Sequence, residues 1–126
     1  MVETKRRCAL IVEDEFLIAE GYRLQLETLG IEVCGIADTA EQAVEMAVEH
    51  VPAFILMDVR LRGDADGVDA ALRIYERVRS AAVIFVTGSR ERATIERIGQ
   101  DHAAATLFKP VSPFLLERAI AQVMPR

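Results

Sequence analysis

The chain has 126 residues, 52% hydrophobic and 28% charged, with a formal net charge of −5 and a pI near 5.1. That length fits one domain, and the composition excludes a disordered tail, a collagen-like fibre and a disulfide scaffold. An acidic chain is a poor general nucleic-acid binder, because such binding starts from a basic face. The longest apolar runs are too short to cross a bilayer. Lys5, Arg6 and Arg7 are followed by only five apolar residues before Glu13, so no secretory signal core is expected. Cys8 and Cys34 lack metal-ligand spacing. Without an export signal they are expected as reduced core thiols of a cytoplasmic protein.

Short apolar runs alternate with helical patterns along the chain. The first run covers residues 8–12 and the first helical stripe is Ile18, Tyr22, Leu26 and Leu29, closed by Gly30. The second run, 31–37, carries Glu32 between Ile31 and Val33, which suits an edge strand. Thr39 with Gln42 forms a capping box before Ala43, Val44, Ala47 and Val48. The third run is 53–57, followed by a stripe of Val68, Ala71, Tyr75 and Val78. The fourth run, 82–86, precedes a weak helix over 91–98 whose main apolar pair is Ile95 and Ile98. The fifth, 103–108, precedes a helix with Ser112 at N-cap and Pro113 at N1, then Leu116, Ala119, Ile120 and Val123. Runs one, three and four do not alternate, as expected for strands buried on both faces of a parallel sheet. The pattern is α/β, a doubly wound (βα)5 sheet with helices on both faces and right-handed crossovers.

Ligands of such sheets bind outside the carboxyl ends of the strands. Strand one is followed by Glu13, Asp14 and Glu15, strand three ends in Asp58, strand four is followed by Thr87-Gly88-Ser89, and strand five by Lys109-Pro110. Each group alone has a plain reading: acids at a helix start, a turn residue, a loop opening, a strand stop. Together they deliver a polar group from every central strand to one edge. Glu13, Asp14 and Asp58 would gather negative charge, and two like charges 4 Å apart repel by about 4 kcal/mol at an effective dielectric of 20. Such a site wants a hard cation, and oxygen donors with room for water suit Mg²⁺. A carboxylate, a divalent ion, Lys109 and the Thr87 hydroxyl form a set that can accept a phosphoryl group.

With these motifs, Val12-Glu13-Asp14, Met57-Asp58, Thr87-Gly88 and Lys109-Pro110, the chain resembles the receiver domain of two-component response regulators over about residues 8–124. The resemblance implies a flavodoxin-like, chemotaxis-regulator-like fold with strand order 2-1-3-4-5. It implies Asp58 as phosphoacceptor, Asp14 as a direct Mg²⁺ ligand, Glu13 holding the ion mainly through water, and the backbone carbonyl of Arg60 as a further ligand. Thr87 and Lys109 would bind phosphoryl oxygens, and the Lys109–Pro110 bond would be cis. Phe85-Val86-Thr87-Gly88-Ser89, Asp58-Val59-Arg60-Leu61 and Asp66-Gly67-Val68-Asp69-Ala70-Ala71 resemble the "FAT GUY" subgroup. Its members are often stand-alone and pair with HWE/HisKA2-type sensor kinases. Val86 replaces the Ala of that name, and Ser89 replaces the usual Gly or Tyr.

Thr106 stands where most receivers carry an aromatic residue three places before the lysine, so output is expected to rest on residues 88–99, which have few apolar anchors. Arg60 and Ser89 sit where the family tunes the lifetime of the phosphorylated state. The glycine-flanked loop 63–67 fails calcium-loop spacing, since Arg62 lies where the first Asp is needed, and reads as solvated. His50 and His102 read as exposed or structural, and the arginines between 73 and 97 as solvated helix surface. The expected partners are a sensor histidine kinase or phosphotransfer protein and a downstream protein target, with neither nucleic acid nor membrane. A homodimer through the fourth helix, fifth strand and fifth helix is an open alternative. The chain ends just after the last helix, and the expectation is one receiver domain over 1–126 without an output domain. Enzyme readings fit poorly. A haloacid-dehalogenase-type phosphatase needs an acid where Arg60 stands, and no nucleotide-binding glycine motif occurs. Catalysis would be confined to promoting its own phosphorylation and hydrolysis. The competing reading is a degenerate receiver serving as a constitutive interaction module.

Overall fold

A computed structural model describes residues 8–100 and 103–124; Lys5, Arg6, Arg7 and His102 lie outside the described residues. The elements run β1 (Cys8–Val12), α1 (Phe16–Thr28), β2 (Glu32–Ala37), α2 (Ala40–His50), β3 (Phe54–Asp58), α3 (Gly67–Arg77), β4 (Val83–Thr87), α4 (Arg92–Gln100), β5 (Ala105–Phe108) and α5 (Pro113–Val123). All strand pairs are parallel, in the order β2-β1-β3-β4-β5. Every residue of β1, β3 and β4 is buried, because helices cover both faces of the sheet. β2 takes the edge expected from Glu32, whose side chain is exposed.

Alternate strand residues point to opposite faces, and the core divides accordingly. Leu10, Val12, Ile55, Met57, Val83 and Phe85 pack with α2 and α3. Ala9, Ile11, Phe54, Leu56 and Ile84 pack with α1 and α5 through Ala19, Leu26, Leu116 and Ile120. Each large aliphatic side chain so buried contributes roughly 1.5–3 kcal/mol. The fully covered central strands therefore outweigh any single cap, which is worth about 1 kcal/mol.

Several local expectations shift by a residue or a partner. α1 stops at Thr28, and Gly30 takes the left-handed turn with φ 79°, which leaves Leu29 exposed rather than on the buried stripe. Thr39 Oγ1 accepts from the Gln42 N–H at 3.1 Å, but Gln42 Oε1 accepts from the Asp38 N–H rather than from that of Thr39. In α4, Ile98 is buried while Ile95 is exposed. Ser112 caps α5 with Pro113 in its first turn, as the sequence indicates.

The cysteines correct the sequence reading. Cys8 and Cys34 are joined in a disulfide instead of standing as reduced thiols. Parallel pairing sets Ala9 against Val33 and then Leu10 against Gly35, so Cys34 is the extra residue of a bulge. That places it 5.5 Å from Cys8, Cα to Cα, within bridging distance. Strand register brings the pair together, and a separation of 26 residues carries no hint of it. No helix among the described residues is long and apolar enough to cross a membrane.

Candidate functional site

The register ends the central strands at one edge, pairing Val12 with Ala37 and Met57, and Asp58 with Val86. Glu13 continues past β1, its N–H donating to the Ala37 carbonyl at 2.9 Å. Asp58 closes β3 and Thr87 closes β4. Among the described residues the buried polar or charged side chains are Glu13, Asp58 and Thr87, at 2%, 7% and 2% exposure. Burying unpaired charge is costly, so three such residues gathered at one sheet edge mark a site built for chemistry.

Lys109, just past β5, reaches across the strand ends. Its Nζ lies 3.0 Å from Glu13 Oε1 and 3.1 Å from Asp58 Oδ2. Glu13 Oε2 accepts from the Glu15 N–H at 3.2 Å. Burial, then the neighbouring Asp58 carboxylate, push the Glu13 carboxyl above its ordinary range, against the opposing pull of Lys109. Burial works to lower the Lys109 ammonium, but its bonds to Glu13 and Asp58 outweigh this and hold it above the usual lysine value. One ammonium is thus shared by two buried carboxylates. Asp14 adds a third, and one carboxylate oxygen from each of Glu13, Asp14 and Asp58 lies within 4.8 Å of the others. This all-oxygen set has more negative charge than Lys109 can neutralise, and it fits a hard divalent cation.

The surroundings fix these groups. The Lys109 N–H donates to the Thr87 carbonyl at 2.9 Å, and the Lys109–Pro110 peptide is cis. Thr87 Oγ1 accepts from the Ser89 N–H at 3.0 Å, and Ser89 Oγ in turn accepts from the Glu91 N–H and meets Thr94 Oγ1 at 3.4 Å. Arg60 lies two residues past Asp58 with an exposed side chain. Burial raises the Tyr22 phenol on α1, which also feels the charges of Lys109, Glu13 and Asp58. Phe108 carries the Arg90 guanidinium 4.3 Å over its ring.

Sequence reasoning overlooked one part. The loop read as solvated ends in Asp66, which caps α3: Asp66 Oδ1 accepts from the Asp69 N–H at 3.0 Å and Asp69 Oδ2 from the Asp66 N–H at 2.9 Å. The next residue, Gly67, donates its N–H to the Val59 carbonyl at 2.7 Å, and a Cβ there would overlap the Asp58 carbonyl oxygen. Arg97, read as helix surface, binds Asp66 and Asp69 from α4. The Asp-x-x-Asp spacing was an available capping signal.

A doubly wound sheet with an acidic cluster and a reaching lysine at its carboxyl edge defines the class of receiver-type signalling domains. The response regulator receiver domain family matches residues 9–121, and the chain belongs to it. The transcriptional regulatory protein PdtaR of Mycobacterium tuberculosis is 38% identical over 106 residues, covering 84% of this chain and 51% of its own length. The chain thus spans about half the length of that relative. The polar-differentiation response regulator DivK of Brucella ovis is 33% identical over 108 residues, 84% of this chain and 86% of its own. The signal receiver domain of a modulated diguanylate cyclase from Desulfovibrio desulfuricans is 37% identical, with a TM-score of 0.84 over 91% of this chain and 90% of that one. Receiver domains are signalling regulators rather than classical enzymes, and phosphorylation with a role for Mg²⁺ is general in the family.

Proposed function

We propose that Asp58 accepts a phosphoryl group and that the domain signals through the protein contacts this changes. The carrying observation is the shared Lys109 between two buried carboxylates at the sheet edge, with Thr87 the third buried polar residue there. A carboxylate oxygen of Asp58 forms the new P–O bond as the P–N bond of a donor phosphohistidine breaks, and the imidazole leaves with the electron pair. The Lys109 ammonium, freed from one carboxylate, and the Thr87 hydroxyl bind the oxygens of the acquired phosphoryl group. Glu13, Asp14 and Asp58, with the Arg60 carbonyl, would hold Mg²⁺, which supplies charge neutralisation for the transferring group. Promotion of phosphorylation and hydrolysis by the domain itself belongs to the same reading.

The donor is a sensor histidine kinase, of HWE/HisKA2 type if the FAT GUY likeness carries over, or a phosphotransfer protein. Phe16 and Leu17, exposed in the first turn of α1 beside the site, support docking of such a protein. The downstream target is a protein, and the compartment is the cytoplasm, where such donors work. The test is intact mass after incubation with acetyl phosphate, with and without Mg²⁺. One phosphoryl group gained by the natural chain, and none by Asp58→Asn or without Mg²⁺, is the expected result. Failure of acetyl phosphate and of a panel of HWE-type kinases to phosphorylate the chain would overturn the reading.

A further inference from the structure

α4 has few means of staying in place. Ile98 is its buried residue among those described, while Arg92, Ala93 and Ile95 are exposed. Beside the Ile98 anchor, α4 carries an ionic tether. Arg97 Nη1 lies 2.7 Å from Asp66 Oδ2, and Nη2 lies 3.3 Å from both Asp66 Oδ1 and Asp69 Oδ1. These acids form the capping box of α3, and Gly67 beside them rests against the backbone of Asp58. One guanidinium therefore ties α4 to the turn that touches the phosphoacceptor. The start of α4 is tied elsewhere, through Ser89 to the Thr87 hydroxyl. Thr87 is the group that engages the phosphoryl oxygens in the proposed function, so phosphorylation acts on one end of α4 while Arg97 restrains the other.

We propose that Arg97, Asp66 and Asp69 form an ionic latch that holds α4 in its unphosphorylated position and opens when Asp58 is phosphorylated. The inference rests on Asp58 being the phosphoacceptor. It supplies a coupling route in a chain where Thr106 cannot act as a rotating aromatic switch. A ligand shifts a two-state equilibrium only by its differential affinity for the two states. Weakening the latch therefore tightens binding of a phosphoryl mimic. The lowered pKa of Asp66, whose burial is outweighed by Arg97 and the Asp69 N–H, agrees with a strongly held pair.

The experiment measures beryllofluoride affinity, with Mg²⁺ present, on the full chain. The variants are Arg97→Gln, Asp66→Asn, which keeps an N-capping oxygen, and the double variant. Each single variant should bind roughly three- to fivefold more tightly at low ionic strength, a factor ordinary for surface ion pairs. The double variant should bind no more tightly than Arg97→Gln alone, which already breaks the contacts to both Asp66 and Asp69. The gain should shrink at about 1 M salt, where the Debye length falls to about 3 Å. Arg97→Lys, which keeps the charge and loses the fork, should fall between. Unchanged or weaker affinity in the single variants, additive gains, or gains indifferent to salt would overturn the latch while leaving Asp58 in its role. A natural chain that neither binds the mimic nor gains mass from acetyl phosphate would overturn both.

Discussion

α3 and α4 flank β4 in the chain, yet they are fastened by different physics. α3 buries Gly67, Val68, Ala70, Ala71 and Ile74 and opens on a complete capping box. α4 buries Ile98, begins in exposed residues and is tied sideways by Arg97. Large aliphatic burial contributes roughly 1.5–3 kcal/mol per side chain, whereas exposed ion pairs contribute about 0.2–1 kcal/mol. The first kind of fastening fixes a helix for the life of the fold. The second can be undone by one local charge change. α3 touches the Asp58 backbone through Gly67, and α4 is joined to that same turn through Arg97, so the rigid helix positions the acceptor and the weakly held one is free to respond.

The contrast is sharpest in paired truncations. Ile74→Ala in α3 should cost about 4 kcal/mol and lower the global denaturant midpoint, while Ile98→Ala in α4 should cost about 2 kcal/mol. Hydrogen exchange should accelerate mainly in α4 for Ile98→Ala and throughout the domain for Ile74→Ala. Equal effects would erase the distinction. Gly67→Ala strikes the rigid side directly, because the new Cβ would meet the Asp58 carbonyl rather than a flexible side chain. About 3 kcal/mol should be lost, together with phosphoryl uptake, as read by urea unfolding and intact mass.

The disulfide serves as a control at the far edge of the sheet. For a separation of 26 residues, Cys34→Ser should cost about 3.5 kcal/mol by loop closure in the unfolded chain. Exchange rates in α4 relative to the rest of the domain should stay as they are. Free-thiol titration of the native chain should find neither cysteine. The smallest effect is a pH dependence. Asp66 has a lowered folded pKa, so its contribution is present above the unfolded value of about 3.9 and disappears as pH falls through the folded value. The stability gap between the natural chain and Asp66→Asn should therefore stay below about 1 kcal/mol at neutral pH and vanish in strong acid.

The rigid part of this contrast was legible in the sequence, and so was the weak anchoring of residues 88–99, but the ionic contact that ties them to α3 was not. β1, β3 and β4 announce themselves because strands buried on both faces admit no polar residue until they end. The residues that end or follow them, Glu13, Asp58 and Thr87, stand out for the same reason. Lys109 was legible from its place after the fifth run. The latch escaped because Arg97 and Asp66 are 31 residues apart and each has an ordinary surface reading. The Cys8–Cys34 pair escaped because a bulge, which pattern alone does not reveal, sets its register. Leu29 and Ile95 misled because helical period gives a face but not the residue at which the helix stops or tilts from the sheet.

Tyr22 has one more consequence. The chain contains two tyrosines and no tryptophan. Tyrosine emission is therefore not masked by a stronger fluorophore, and one of the two phenols feels the charges of Lys109, Glu13 and Asp58. Tyr75 sits in α3 and serves as the internal reference. Light emitted by Tyr22 should change when a cation or a phosphoryl group enters the acidic cluster, and Tyr22→Phe should remove that change. The domain thus carries a native optical gauge of its own occupancy, readable without dye or label.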